Sequence, residues 1–191
     1  MNEWGKLRAL ALAAALFVAL GATRPALAYY AVIGTATNVV TSGSITLKVH
    51  EQTNDGRPFP TQGVTVRPGD KVSKEVTVEN TCNQPFYLRI KLINGVENVF
   101  LPVEDVFAYD VNTADWIGHE DGYYYYNSIL QPGQITPALF KEVEIVRNKV
   151  GGQFSGRTLT LTVTAEAVQS KNNPADHPWD ASGWPGEGGQ A

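Results

Sequence analysis

The longest alternation of apolar and polar residues in this chain, residues 158–168, constrains its fold more than any other feature. Leucine, valine and alanine occupy every second position, and threonine occupies most of the positions between them. Successive side chains of a strand point to opposite faces, so the pattern predicts a strand with one buried face. β-Branched threonines fit the outward positions of such a strand.

The same period of two recurs along most of the chain, in residues 44–50, 72–79, 86–92 and 139–146. Turn sequences with Pro-Gly, Asp-Gly or Gly-Gly separate these segments. The one helical candidate is a short helix at Val103–Phe107, opened by Pro102. We therefore expect an all-β protein, an antiparallel β-sandwich of about seven to nine strands over residues 41–168.

Four consecutive tyrosines, Tyr123–Tyr126, lie between the turn signals Asp121-Gly122 and Pro132-Gly133. Their rings alternate between the two faces of an extended strand, so both faces need something to pack against. One interpretation is a strand between the core and a covering loop. The other is a contact surface for another molecule, with candidate residues that are all aromatic: Trp116, Tyr124 and Tyr126.

The composition changes near Lys171, and residues 169–191 form a tail rich in glycine and proline. Trp179 and Trp184 are its only large apolar residues. Such a segment cannot bury enough apolar surface to offset its own ordering entropy, which predicts a flexible tail. The alternative is that the tail docks on the sandwich through Trp179, because tryptophan is seldom left exposed.

The N-terminal sequence is typical of a secretory signal peptide. Lys6 and Arg8 precede an apolar run, and small residues at Ala26 and Ala28 suit signal peptidase. The run is about twelve residues long, and a membrane span needs about twenty. We expect residues 1–28 to be removed after Ala28, with an uncleaved N-terminal anchor as the alternative. A second small-residue sequence, 34–36, leaves the position of the cut open by several residues.

The net charge limits the classes of partner that suit this chain, and the cysteine content limits its disulfides. Loss of residues 1–28 removes three basic residues and one acidic residue, which changes the formal charge from −4 to −6. An acidic chain without a basic stripe suits neither nucleic acid nor an anionic membrane surface, so we expect no nucleic-acid partner and no stable membrane anchor after cleavage. Cys82 is the only cysteine and cannot form an internal disulfide. We expect it to be a buried small hydrophobe.

Catalytic and metal-binding patterns are missing from the sequence. The three histidines, His50, His119 and His177, are far apart and belong to no His-Glu-x-x-His motif. The segment His119-Glu120-Asp121 could supply metal ligands, but we interpret residues 116–122 as a solvated surface loop. Neither a Gly-x-Ser-x-Gly elbow nor a glycine-rich phosphate loop is present. We expect no catalytic residue, no cofactor and no metal site.

Several short motifs occur in an order that resembles one family. They are residues 35–47, residues 67–80, the tyrosine strand with Leu130 and Pro132-Gly133, residues 139–143, and residues 162–169 followed by Asn172-Asn173 and Trp184-Pro185. This series resembles the TasA/camelysin family of SipW-dependent secreted proteins. The likeness extends over most of the chain after residue 28.

The resemblance implies a secreted, jelly-roll-like sandwich that is processed by a SipW-type signal peptidase. It implies an extracellular-matrix or cell-surface protein that builds biofilm fibres as a head-to-tail homopolymer, with accessory matrix proteins as further partners. The camelysin branch implies an alternative, a cell-surface metallopeptidase, although this chain lacks a recognisable zinc motif. A second alternative is a surface module that binds carbohydrate or protein through the aromatic residues named above.

The resemblance also implies donor-strand exchange, in which an N-terminal segment completes the sheet of a neighbouring copy. An extended apolar segment can add to an open sheet edge through main-chain hydrogen bonds. We expect residues 29–40 to act as the donor, through residues that are apolar or aromatic: Tyr29, Tyr30, Val32, Ile33, Val39 and Val40. The alternative is an ordinary edge strand in the chain's own sheet.

Overall fold

The computed structural model describes residues 29–32, 36–38, 45–96, 105–150, 154 and 156–185. The expected signal peptide with its cleavage residues Ala26 and Ala28 lies outside the described residues, as do Ile33, Val39 and Val40. Within the described ranges the chain forms twelve strands and a 3-10 turn at Pro178–Asp180.

The first layer is a seven-stranded sheet built around its longest strand, β12. Strand order runs β4 (Val64–Val66), β1 (Tyr29–Val32), β12 (Thr158–Gln169), β7 (Phe86–Val96), β10 (Tyr123–Tyr126) and β9 (Trp116–Gly118), and β2 (Ala36–Asn38) also pairs with β12. Strands β7 and β12 pair antiparallel from Leu159 opposite Val96 to Gln169 opposite Phe86. This ladder gives the layer its length.

The second layer consists of two smaller sheets that are linked to each other by backbone hydrogen bonds. Strand β3 (Leu47–Gln52) pairs with β6 (Glu75–Asn80), and β11 (Glu142–Ile145) pairs with both β5 (Lys71–Ser73) and β8 (Phe107–Tyr109). Backbone hydrogen bonds join the two sheets. The amide of Leu139 donates to the carbonyl of Val76 at 2.8 Å, and the amide of Lys74 donates to that of Lys141 at 3.0 Å.

The main apolar core of the described residues lies between the layers. On β12, every second side chain from Leu159 to Ala165 is fully buried, and Val76 and Val143 are fully buried in the second layer. Burial of apolar surface at about 25 cal/mol per Å² is the main force that holds such layers together. The predicted all-β, antiparallel sandwich is confirmed, and the strands predicted at residues 86–92 and 158–168 lie within β7 and β12.

The expected helix and the expected strand directions differ in part from the structure. Asp105 has φ 61° and Phe107 begins β8, so the expected helix at Val103–Phe107 is wrong in its described part, where pairing with β11 outweighs the local helix signal. Strands β1 and β2 run parallel to β12, an exception within an otherwise antiparallel sandwich. Local periodicity carries no information about such a long-range pairing.

The strand predicted at residues 72–79 is interrupted at Lys74, whose side chain is fully buried. Its Nζ lies 2.8 Å from Oε1 of Glu51 and 4.3 Å from the ring centre of Phe59. Burial lowers the pKa of Lys74, and the charge of Glu51 opposes that shift. A buried ammonium needs such a partner, because removing one member of a buried pair leaves an uncompensated charge.

Replacing Leu161 with alanine tests the face assignment of β12. Leu161 is fully buried, so Leu161→Ala should lower the free energy of unfolding by about 2–5 kcal/mol through lost burial and a residual cavity. The matched control is Thr162→Ala on the opposite, half-buried face, expected to cost less than about 1 kcal/mol. Urea unfolding followed by circular dichroism measures both. Equal losses would contradict the assignment.

Candidate functional site

The N-terminal strand β1 occupies a slot between β4 and β12, which we call the N-terminal slot. Tyr30 lies opposite Thr65 of antiparallel β4 and opposite Thr158 of parallel β12. Among the described residues, β4 joins this sheet only through β1. The slot therefore presents two strand edges, and a strand that fills it forms hydrogen bonds on both sides.

Strand β2 continues along the same edge of β12, with Ala36 opposite Val163 and Asn38 opposite Ala165. The other edge of β12 is paired with β7 along its whole length. Strands β1 and β2 thus cover an edge of the central strand that would otherwise expose a row of unpaired backbone groups.

Three of the residues expected to drive polymerisation, Tyr29, Tyr30 and Val32, lie in β1. In this structure they belong to the chain's own sheet. The edge-strand alternative is corrected in one respect, because β1 has a hydrogen-bonded neighbour on each side and so is an interior strand. This interior position could not be predicted from the sequence, because β4 is only three residues long and leaves no clear periodic pattern.

The aromatic residues proposed as an exposed contact surface face the core, and that expectation is corrected. Trp116 is 1% exposed, and its indole Nε1 donates to the carbonyl of Pro137 at 3.1 Å. The ring of Tyr126 lies 5.4 Å from the Trp116 ring, and Tyr124 and Tyr126 are half-buried against the core cluster. Trp116 also begins β9, in a segment expected to be a surface loop.

The other two tyrosines, Tyr123 and Tyr125, face outward onto a second cluster around Arg89. Arg89 is 3% exposed, and its Nε donates to Oε2 of Glu166 at 2.8 Å. Its Nη1 donates to the hydroxyl of Tyr125 at 3.1 Å, and its Nη2 donates to the carbonyl of Pro185 at 3.1 Å. We call Arg89, Glu166, Tyr123 and Tyr125 the tail site.

The described part of the tail beyond β12, residues 170–185, covers the tail site. The guanidinium of Arg89 lies between two rings, 3.9 Å from the centre of Tyr123 and 4.5 Å from that of Trp184. Trp184 is 2% exposed and meets Tyr125 edge to face at 5.6 Å. Of the two alternatives for the tail, docking is confirmed over these residues. Residues 186–191 lie outside the described part.

The predicted anchor Trp179 has a secondary place in this docking. Its ring is half-buried and stacks between His119, at 5.2 Å, and His177, at 4.5 Å. Trp184 is the deeply buried anchor, which sequence reasoning missed because the two tryptophans look alike in sequence. The interpretation of Tyr123–Tyr126 as a strand between the core and a covering segment is confirmed.

Hydrogen bonds in and beside the tail site favour the charged forms of Arg89 and Asp121, and Tyr125 is favoured in its neutral form. Burial opposes the charge of Arg89, but hydrogen bonds with Tyr125 and Glu166 outweigh it and raise the pKa of Arg89. Burial, together with a hydrogen bond to Asp121, raises the pKa of Tyr125 to about 12. Burial also opposes the charge of Asp121, yet hydrogen bonds from Tyr125 and from the amide of Tyr123 lower the pKa of Asp121.

Two of the residues considered as metal ligands, His119 and Asp121, contact each other, and His50 contacts a glutamate. His119 Nδ1 lies 3.3 Å from Oδ1 of Asp121, and His50 Nε2 lies 2.8 Å from Oε2 of Glu79. In the described ranges no group of three or more His, Cys, Asp or Glu residues is arranged to hold a metal ion. Cys82 is half-buried, with Sγ 3.1 Å from Oδ1 of Asn80.

Comparisons with protein-family models, with characterised proteins and with solved structures found no match to this chain. Over the part of the chain that the structure covers, no helix has the length and apolar character needed to cross a bilayer. The two features of the described structure that bear on function are the N-terminal slot and the tail site.

Removing the indole of Trp184 should release the tail. Truncating a buried aromatic anchor typically costs about 2–4 kcal/mol of binding free energy, so Trp184→Ala should make Trp179 more accessible to the quencher acrylamide. The matched control is Ile117→Ala, since Ile117 is 37% exposed on the neighbouring strand β9. Unchanged quenching in Trp184→Ala would contradict the docking role of Trp184.

Asp121 should give the tail site an acid-sensitive stability. Its pKa is lowered in the folded state from 3.8, so its stabilising contribution is present above pH 3.8 and is lost as pH falls through the lower folded value. The difference in unfolding free energy between the native chain and the Asp121→Asn variant should therefore shrink as the pH falls below 3.8. Urea titrations at neutral and strongly acidic pH measure it. A difference that stays constant would contradict this assignment.

Proposed function

We propose that this chain is an exported structural protein that polymerises head to tail by donating residues 29–40 to the N-terminal slot of the next copy. The observation that carries the proposal is the position of β1, which is hydrogen-bonded on one side to β4 and on the other to β12. The same strand pairing can form within one chain or between two chains. In the second case each copy is linked to the next.

Exchange needs no new kind of contact, because the hydrogen bonds lost within one chain are regained between two chains. Each backbone hydrogen bond contributes about 0.5–1.5 kcal/mol net, and a donated strand forms the same bonds in a neighbour that it forms in its own chain. Donor segment and slot are different surfaces, so the contact is heterologous and can propagate into a filament. Cys82 is the only cysteine, so no intrachain disulfide ties the N-terminal segment to the sandwich.

The expected export route fits this mechanism. Cleavage after Ala28 by a SipW-type signal peptidase would leave Tyr29, the first residue of β1, as the new N-terminus. The donor segment would then become free to leave its own sheet once the chain is outside the cell. The resemblance to the TasA/camelysin family supports an extracellular-matrix or cell-surface fibre, with accessory matrix proteins as further partners.

Two single-cysteine variants test the exchange directly. Tyr30 and Thr65 lie opposite each other across an antiparallel pair, a geometry in which the Cα separation of about 4.5–5.5 Å permits a disulfide. Both variants carry Cys82→Ser. When mature Tyr30→Cys and Thr65→Cys chains are mixed and oxidised, we expect a covalent heterodimer on a non-reducing gel, because only donation between chains brings the two cysteines together.

The matched control pairs Tyr30→Cys with Glu120→Cys, which lies in the exposed turn before β10. That mixture should stay uncross-linked. A chain that lacks residues 29–38 should form no filaments by electron microscopy. Filaments that persist after this deletion, or a heterodimer that forms equally well in the control mixture, would contradict the proposal.

A further inference from the structure

The tail site is a second place where copies of this chain can join. We propose that the tail site of one copy binds the C-terminal segment 174–185 of a second copy, with Trp184 as the anchor. This contact lies on the outer face of β7, β10 and β12, whereas the N-terminal slot lies along the edge of β12. It therefore does not depend on strand donation.

The composition of the tail site is that of a protein–protein hot spot. Tryptophan, tyrosine and arginine carry most of the binding energy in interfaces, usually at a desolvated centre. Here Trp184, Tyr125 and Arg89 meet at exposures of 2%, 1% and 3%. The contact has the chemistry of an interface, although in this structure both halves come from one chain.

The receiving half of the site is held by residues outside the tail. Arg89 of β7 lies opposite Glu166 of β12, and the two side chains form a charge-assisted pair at 2.7–2.8 Å. The hydroxyl of Tyr125 donates to Oδ2 of Asp121 at 2.7 Å, which fixes the ring beside the guanidinium. An empty site would keep this geometry, so binding requires little reorganisation.

The donated half brings an indole and a backbone acceptor. Trp184 stacks on the guanidinium of Arg89, and the carbonyl of Pro185 accepts a hydrogen bond from Nη2. The indole Nε1 is satisfied inside the segment, by the carbonyl of Pro178 at 3.3 Å. The ligand is therefore a Trp-Pro segment whose indole N–H is already hydrogen-bonded within the segment.

The tail can leave without breaking a strand ladder. Among the described residues, none from 170 to 185 belongs to a strand. The segment is joined to β12 by a short turn, in which the amide of Asn173 donates to the carbonyl of Ser170 at 3.2 Å and Asn172 has φ 59°. Exchange of an identical element across such a connection is a low-cost route to association.

Complementary variants test the proposal on full mature chains. Trp184→Ala keeps the site and loses the anchor. The double variant Arg89→Met, Glu166→Gln keeps the anchor and loses the site without leaving one buried charge unpaired. We expect the mixture to associate at a total concentration at least about tenfold lower than either variant alone, as measured by sedimentation velocity, a difference of about 1.4 kcal/mol.

Strand donation contributes equally to the mixture and to each variant alone, since both keep residues 29–40. If strand donation does not occur, association would be weaker in the mixture and in each variant alone. If tail exchange does not occur, only the extra association gained on mixing would be absent. A mixture that associates no more tightly than its components would overturn the tail proposal.

A peptide measurement decides the question if the double variant does not fold. A fluorescent peptide of residues 171–185 should bind the Trp184→Ala chain, and the same peptide with alanine for Trp184 should bind at least about tenfold more weakly. The native chain, whose site is already filled, should bind the labelled peptide more weakly than Trp184→Ala does. Equal anisotropy changes for both peptides would overturn the proposal.

Discussion

The structure depends on keeping both edges of one long strand hydrogen-bonded. Strand β12 forms an unbroken ladder with β7 on one side, and on the other it relies on two short strands from the N-terminal segment. A central strand with an open edge exposes backbone groups that will pair with any available strand. The segment that closes this edge is therefore part of the fold, and it is also the part best placed to close a neighbour's edge.

Buried charges fix the elements around that strand. Arg89 and Lys74 lie on opposite layers, and each is nearly or fully inaccessible to solvent. A buried cation is tolerated only with a partner and further hydrogen bonds, so Glu166 and Glu51 determine where β12 and β3 lie against their neighbours. One of the hydrogen bonds that Arg89 needs comes from the tail, where the carbonyl of Pro185 accepts from its guanidinium. The tail is thereby coupled to the centre of the sheet.

The sequence predicted what depends on local periodicity. The alternation in residues 158–168 and the four tyrosines indicated strands with two different faces, and the tryptophans of the tail suggested docking as the alternative to a flexible tail. The parallel placement of β1 could not be predicted, because it follows from pairing between segments more than a hundred residues apart. Buried Arg89 was also missed, since a charged residue on the polar side of an alternating strand normally faces solvent.

Amide hydrogen exchange at β12 tests the central claim most directly. The amides of residues 158–165 that point toward β1 and β2 should be protected in the mature chain and should lose that protection when residues 29–38 are deleted. A synthetic peptide of residues 29–40, supplied to the shortened chain, should restore it. Amides that stay protected after the deletion, or stay open in the presence of the peptide, would contradict the account.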